Sequence, residues 1–164
     1  MTVFLFGSPQ SLPDLPYELK GDAPGMTLKQ FKQNHKQGMW CSKDSATLTT
    51  CRVYQGVSLA GVEAHTFKGC GLPECMFQGI FANFVDGQLV QLRYGVSAGS
   101  ADRVIAALRT KYGAPTKTEE NRNLPGTLRG ATWRNRVAHL TVSDAETYVA
   151  ITSALNDAGG RKDL

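Results

Sequence analysis

The amino-acid sequence predicts an α+β fold, an antiparallel β-sheet with two helices packed on one face. Two segments repeat their apolar residues every three and four positions between recognisable helix caps. The segments between and after them alternate apolar with polar residues and are rich in β-branched and aromatic side chains. Tight-turn dipeptides join neighbouring strands, so hairpins and antiparallel pairing dominate, and only the second helix has room to act as a parallel crossover. The 164 residues suit one domain, or two imperfect helix-plus-strands repeats sharing a sheet. The boundaries expected are a Pro-rich lead-in over 1–22, a single α+β domain over 23–156 and a flexible tail over 157–164.

Pro9, Pro13 and Pro16 deprive the lead-in of backbone donors, so it should lie over the surface, with a short edge strand at Tyr17–Lys20. The first helix follows Thr27, an N-cap whose capping box is completed by Gln30; Met26 can staple onto Phe31, and Gly38 ends the run. Leu28, Phe31 and His35 form its apolar stripe, His35 as a packed helix-end residue. Thr49–Tyr54 and Val62–Phe67 read as short strands joined through residues 55–61. Met76–Val85 and Gln88–Val96 then flank Asp86-Gly87, a dipeptide suited to the positive φ of a hairpin turn. Asp-Gly serves both a two-residue loop and a three-residue loop with a bulge. The second option places Ile80, Ala82 and Phe84 with Val90, Leu92 and Tyr94 on the core side, and Phe77 and Phe81 opposite.

The second helix spans about Ser100 to Tyr112, with Ser100 as N-cap, Asp102 at the positive helix end, and Gly113 and Pro115 as the stop. A polar loop at 116–126 leads to strands at Thr127–Arg134, Arg136–Ser143 and Thr147–Leu155. Trp133, Leu140, Val142, Val149 and Ile151 point inward, leaving His139, Thr141, Tyr148 and Thr152 on the other face.

Composition narrows the function classes. Apolar residues at 41% and charged residues at 20% are ordinary for a globular chain. A formal charge of +4, with lysines and arginines scattered among acids, argues against nucleic acid as a partner. No apolar run approaches the roughly 18 residues of a membrane helix. Val3–Phe6 is too short for a signal-peptide core and has no basic residue ahead of it, so for the exported protein expected here either the signal peptide is not in this sequence or export takes another route.

Cys41, Cys51, Cys70 and Cys75 form an even set in close pairs, which favours two disulfides and an oxidising compartment. Neighbour pairing is one of three connectivities and requires the least chain reorganisation. Free structural thiols and a metal site involving His65 are the alternatives, although neither cysteine spacing matches a zinc knuckle.

Gly95-Val96-Ser97-Ala98-Gly99 matches G-x-S-x-G between a strand and a helix, the setting of a nucleophile elbow. Ser97 would be the nucleophile and His139 the base, oriented by Asp102, Asp144 or Glu146. Against a hydrolase, the preceding strand is one arm of a hairpin and not part of a βαβ unit, so a glycine-flanked helix entrance is the simpler reading. No phosphate loop, dinucleotide fingerprint or ligand-spaced histidine set occurs, and no cofactor is expected.

Pro24-Gly25-Met26-Thr27-Leu28-Lys29-Gln30-Phe31 followed by Cys41 and Cys51 resembles the opening of small exported modules of the SmpA/OmlA (BamE-like) lipoproteins and of β-lactamase inhibitory proteins. Phe84–Leu89 and the later Leu108–Pro115 resemble exported bacterial proteins of similar layout. The resemblance implies a periplasmic or secreted module whose sheet binds another protein without catalysis. The start carries no lipobox cysteine, and the second helix lacks its own Gly-Met-Thr opening. Phe77, Phe81, Arg93, His139 and Tyr148, on the sheet face away from the helices, are the expected contact residues, because large aromatics and arginine dominate protein interfaces.

Overall fold

The computed structural model describes residues 17–36, 38–53, 57–59, 62–64, 79–96, 99–144 and 148–153. Ten strands and two helices occur among them: α1 (Leu28–Asn34), β1 (Met39–Lys43), β2 (Leu48–Val53), β3 (Val57–Leu59), β4 (Val62–Ala64), β5 (Ile80–Val85), β6 (Gln88–Gly95), α2 (Ala101–Tyr112), β7 (Lys117–Glu120), β8 (Leu128–Arg134), β9 (Ala138–Ser143) and β10 (Tyr148–Ser153). Eight strands make one antiparallel sheet in the order β1-β2-β5-β6-β10-β9-β8-β7, while β3 and β4 pair separately. The expected α+β class is therefore corrected: an eight-stranded sheet dominates, continuous through the β6–β10 pairing, and the helices supply only seven and twelve residues. The expectation undercounts strands at the edges. β7 reads Lys-Thr-Glu-Glu with every residue exposed, and β1 lacks apolar alternation, so neither carries the period-two signal of a half-buried strand.

Alternation fixes the core. Ile80, Ala82 and Phe84 on β5, Leu92 and Tyr94 on β6, Val149 and Ile151 on β10, Leu140 and Val142 on β9, and Trp133 on β8 all point to one side. The stripe Ala101, Val104, Ile105 and Leu108 of α2 packs into the same apolar cluster, as does Phe31 of α1, whose ring stands 5.3 Å from that of Phe84. Among the described residues no helix is long and apolar enough to cross a membrane.

Local chemistry explains the joints. Thr27 and Gln30 form a reciprocal capping box, Thr27 N donating to Gln30 Oε1 at 2.8 Å and Gln30 N to Thr27 Oγ1 at 3.2 Å. Ser100 holds the N-cap position of α2 without capping through its side chain. Asp86 and Gly87 both have positive φ (50° and 78°) and close a two-residue loop, Val85 pairing with Gln88. A bulge follows: Phe84 pairs with Leu89 but Asn83 with Gln91, so Val90 is the extra residue. Leu89, and not the expected Val90, consequently fills the core beside Leu92.

The chain from Tyr17 onward is already core. Tyr17 and Leu19 are buried, where a surface lead-in was expected, and a tight turn through Lys20 and Gly21 closes between Leu19 and Asp22. Asp22 is fully buried. Its carboxylate accepts from His35 Nε2 at 2.6 Å, Asn34 Nδ2 at 3.0 Å and the Tyr94 hydroxyl at 3.2 Å. Cys41 and Cys51 face each other across β1 and β2 and are joined by a disulfide, so the bond staples an edge strand to its neighbour. Cys70 and Cys75 lie outside the described residues.

Candidate binding face

The ladder aligns one row of side chains on the face away from the helices. Trp40 pairs with Arg52, Arg52 with Phe81, Phe81 with Arg93, and Arg93 with Ala150; Thr141, Thr132 and Lys117 continue the row to the far edge. These positions alternate with the core residues Cys51, Ala82, Leu92, Ile151, Leu140 and Trp133, so core formation itself presents them outward. The Arg52 guanidinium lies 5.3 Å from the Phe81 ring centroid, and that of Arg93 lies 4.1 Å from the Tyr148 centroid. Both are cation–π contacts that pin long side chains against flat rings. The Nε of each arginine is buried without a hydrogen-bond acceptor. At the β1 edge Trp40 is 53% exposed.

The neighbouring row is polar: Thr50, Asn83, Gln91, Thr152 and His139 occupy successive strands. Asn83 Nδ2 donates to Gln91 Oε1 at 2.9 Å, and the Thr50 hydroxyl lies 3.1 Å from Asn83 Oδ1. Asp44, after β1, accepts from the Ser42 and Thr50 hydroxyls at 2.6 and 2.5 Å. These two hydrogen bonds, helped by the charge of Arg52, hold its carboxyl below the ordinary carboxylate value. Towards β7 the face dips into a hollow of about 290 Å³ bordered by Lys117, Glu119, Thr132, Thr141, Ser143 and Tyr148 over Gly130. A Cβ at Gly130 would stand 3.2 Å from the Val142 carbonyl oxygen and 3.5 Å from Glu119 Oε2, so glycine leaves room for Glu119 to lie across the strand. Glu119 pairs there with Lys117 and Arg129.

Of the expected contact residues, Phe81, Arg93, His139 and Tyr148 share this face, each half-buried. Phe77 and Ser97 lie outside the described residues, as does His65. Asp102 and His139 are not brought together. Asp102 sits on α2, against the core side of the sheet, and accepts from Leu128 N at 3.0 Å. His139 points from the opposite face near the other end of β9. Asp144 accepts from Gly99 N at 2.6 Å and secures the turn into α2. Trp40 and Arg52 belong to the face without having been singled out from sequence. For Arg52 the signal was present, since it follows Cys51 within an alternating strand; for Trp40 it was not, because β1 carries no alternation.

Comparison of the chain with protein-family models, with curated proteins and with solved structures returns no match.

Proposed function

We propose that this protein is an exported, inhibitor-like module that acts by binding another protein, without catalysis, through the sheet face opposite its helices. The observation that carries the reading is the row Trp40, Arg52, Phe81 and Arg93 with Tyr148 beside it. Tryptophan, tyrosine and arginine are the side chains that most often dominate protein interfaces, and here stacking holds the arginines in place before a partner arrives. The Cys41–Cys51 disulfide supports a periplasmic or secreted location, because such bonds persist mainly in oxidising compartments. The resemblance of the Gly25-Met26-Thr27 opening to BamE-like lipoproteins and β-lactamase inhibitory proteins points the same way.

The test places a photo-crosslinking p-benzoylphenylalanine at Thr132 or Thr141 on the face and, separately, at Lys29 on α1, in protein exported by its own host. Crosslinked protein is expected from the face positions and not from α1, and combining Phe81→Ala with Tyr148→Ala should remove it while the fold persists. Equal crosslinking from α1, or face crosslinking indifferent to the two substitutions, would overturn the reading.

A further inference from the structure

We infer that the partner presents carboxylates, and that Arg52 and Arg93 read an acidic protein segment; this rests on the protein-binding reading above. The two arginines flank Phe81 in one ladder row, Arg52 from β2 and Arg93 from β6. Two strand spacings set their Cα atoms about 10 Å apart. Each guanidinium is steered by a ring, at 5.3 Å from Phe81 and 4.1 Å from Tyr148. A guanidinium lying over a ring keeps its N–H donors at its rim, aimed in its own plane, which is the geometry that takes a carboxylate in two parallel hydrogen bonds.

Charge balance on the face identifies the missing group. Among the described residues neither arginine takes part in an ion pair, and each has a buried Nε without an acceptor. The acids nearby are engaged elsewhere: Asp44 by Ser42 and Thr50, Glu119 by Lys117 and Arg129. The centre of the face thus holds two partly desolvated positive charges without a carboxylate at ion-pair distance among the described residues, Asp44 acting on Arg52 only from beyond that distance. Carboxylates from a partner would complete them. A nucleic-acid backbone fits less well, because following a phosphate chain requires closely spaced cations. Here the two arginines are separated by Phe81 and bordered by the uncharged Thr50, Asn83 and Gln91.

The matching probe is a helical peptide with two glutamates seven residues apart, since seven residues rise about 10.5 Å. Its control carries glutamine at both positions. Titrated into ¹⁵N-labelled protein and followed by NMR, the glutamate peptide should bind at least tenfold tighter than the glutamine peptide and should shift the Arg52 and Arg93 Nε–H signals. Arg52→Gln combined with Arg93→Gln should erase the discrimination. Arg52→Lys with Arg93→Lys should restore it only in part, because lysine keeps the charge but not the fork. Lys29→Gln with Lys32→Gln on α1, an equal change in net charge, should leave it intact. Equal binding of both peptides, discrimination that survives loss of both arginines, an equal loss in the α1 variant, or tighter binding of a single-stranded oligonucleotide than of the peptide would each overturn the inference. Face-specific crosslinking that persists without glutamate discrimination would remove the arginine reading and leave the docking face standing; loss of both would remove both.

Discussion

Replacing Asp22 with alanine should destabilise the protein by about 3 kcal/mol, and the figure follows from who loses an acceptor. Three donors converge on the Asp22 carboxylate: His35 Nε2, Asn34 Nδ2 and the Tyr94 hydroxyl. Hydrogen bonds to a charged group contribute roughly 1.5–3 kcal/mol each, so the gross loss is large. Two of the three donors have an escape. Asn34 is exposed and can turn to water, and the Tyr94 hydroxyl keeps the Leu19 carbonyl at 3.2 Å. His35 has neither route, being buried against Phe31 with ring centroids 4.4 Å apart. The expectation therefore falls at the upper end of the roughly 1–3 kcal/mol that a buried donor left without an acceptor costs.

Urea unfolding measures this directly. With a slope of about 2 kcal/mol/M, the midpoint should fall by about 1.5 M without a change in slope. Adding His35→Leu removes the orphaned donor, so the double variant should lose less than the sum of the two singles. A loss below about 1 kcal/mol for Asp22→Ala, or strict additivity with His35→Leu, would refute the account of a buried network joining the Leu19–Asp22 turn, α1 and β6.

Other outcomes follow from single contacts. Converting Cys41 and Cys51 together to serine opens a loop with a sequence separation of 10, and the chain-entropy treatment puts the cost at roughly 2.5–3 kcal/mol, readable in the same urea titration. Because β1 is an edge strand held by β2 alone, hydrogen exchange should quicken first at Met39–Lys43. Burial, then the Asp22 charge and its hydrogen bond, raise the Tyr94 hydroxyl pKa above its ordinary value of 10.0. A raised value means that the folded state holds this proton more tightly, so the contribution is complete below about pH 10 and is lost as the pH rises further. Unfolding free energy should accordingly fall above pH 10 in the wild type, and Tyr94→Phe should flatten that decline; an unchanged slope would count against it.

The helices were legible because their signals are local. The capping box at Thr27 and Gln30 and the apolar stripes of α1 and α2 depend only on residues within a few positions of one another. Strand faces in β8, β9 and β10 were legible for the same reason, as alternation shows directly which residues must turn inward. The edge strands were not. β7 pairs with β8 through its backbone while all four of its side chains remain exposed, so its sequence carries no trace of the pairing. β1 owes its place to pairing with β2 and to a disulfide whose cysteines stand directly opposite in the ladder, a relation that the spacing alone left open among other connectivities.

The β5–β6 hairpin shows how one residue decides where function can reside. Were Val90 paired in the ladder instead of bulged out of it, the two-residue turn at Asp86-Gly87 would set Gln91 and Arg93 on the side of Ala82 and Phe84, inverting β6 beyond Leu89. The bulge between Leu89 and Gln91 absorbs one position, returns Leu92 and Tyr94 to the core, and sends Arg93 to the opposite face beside Phe81. Tyr94 can then reach Asp22, while Arg93, one residue earlier, can stack on Tyr148. Stability and the candidate face are thus coupled through a single register choice: the phase that buries the Asp22 network is the phase that displays the central arginine.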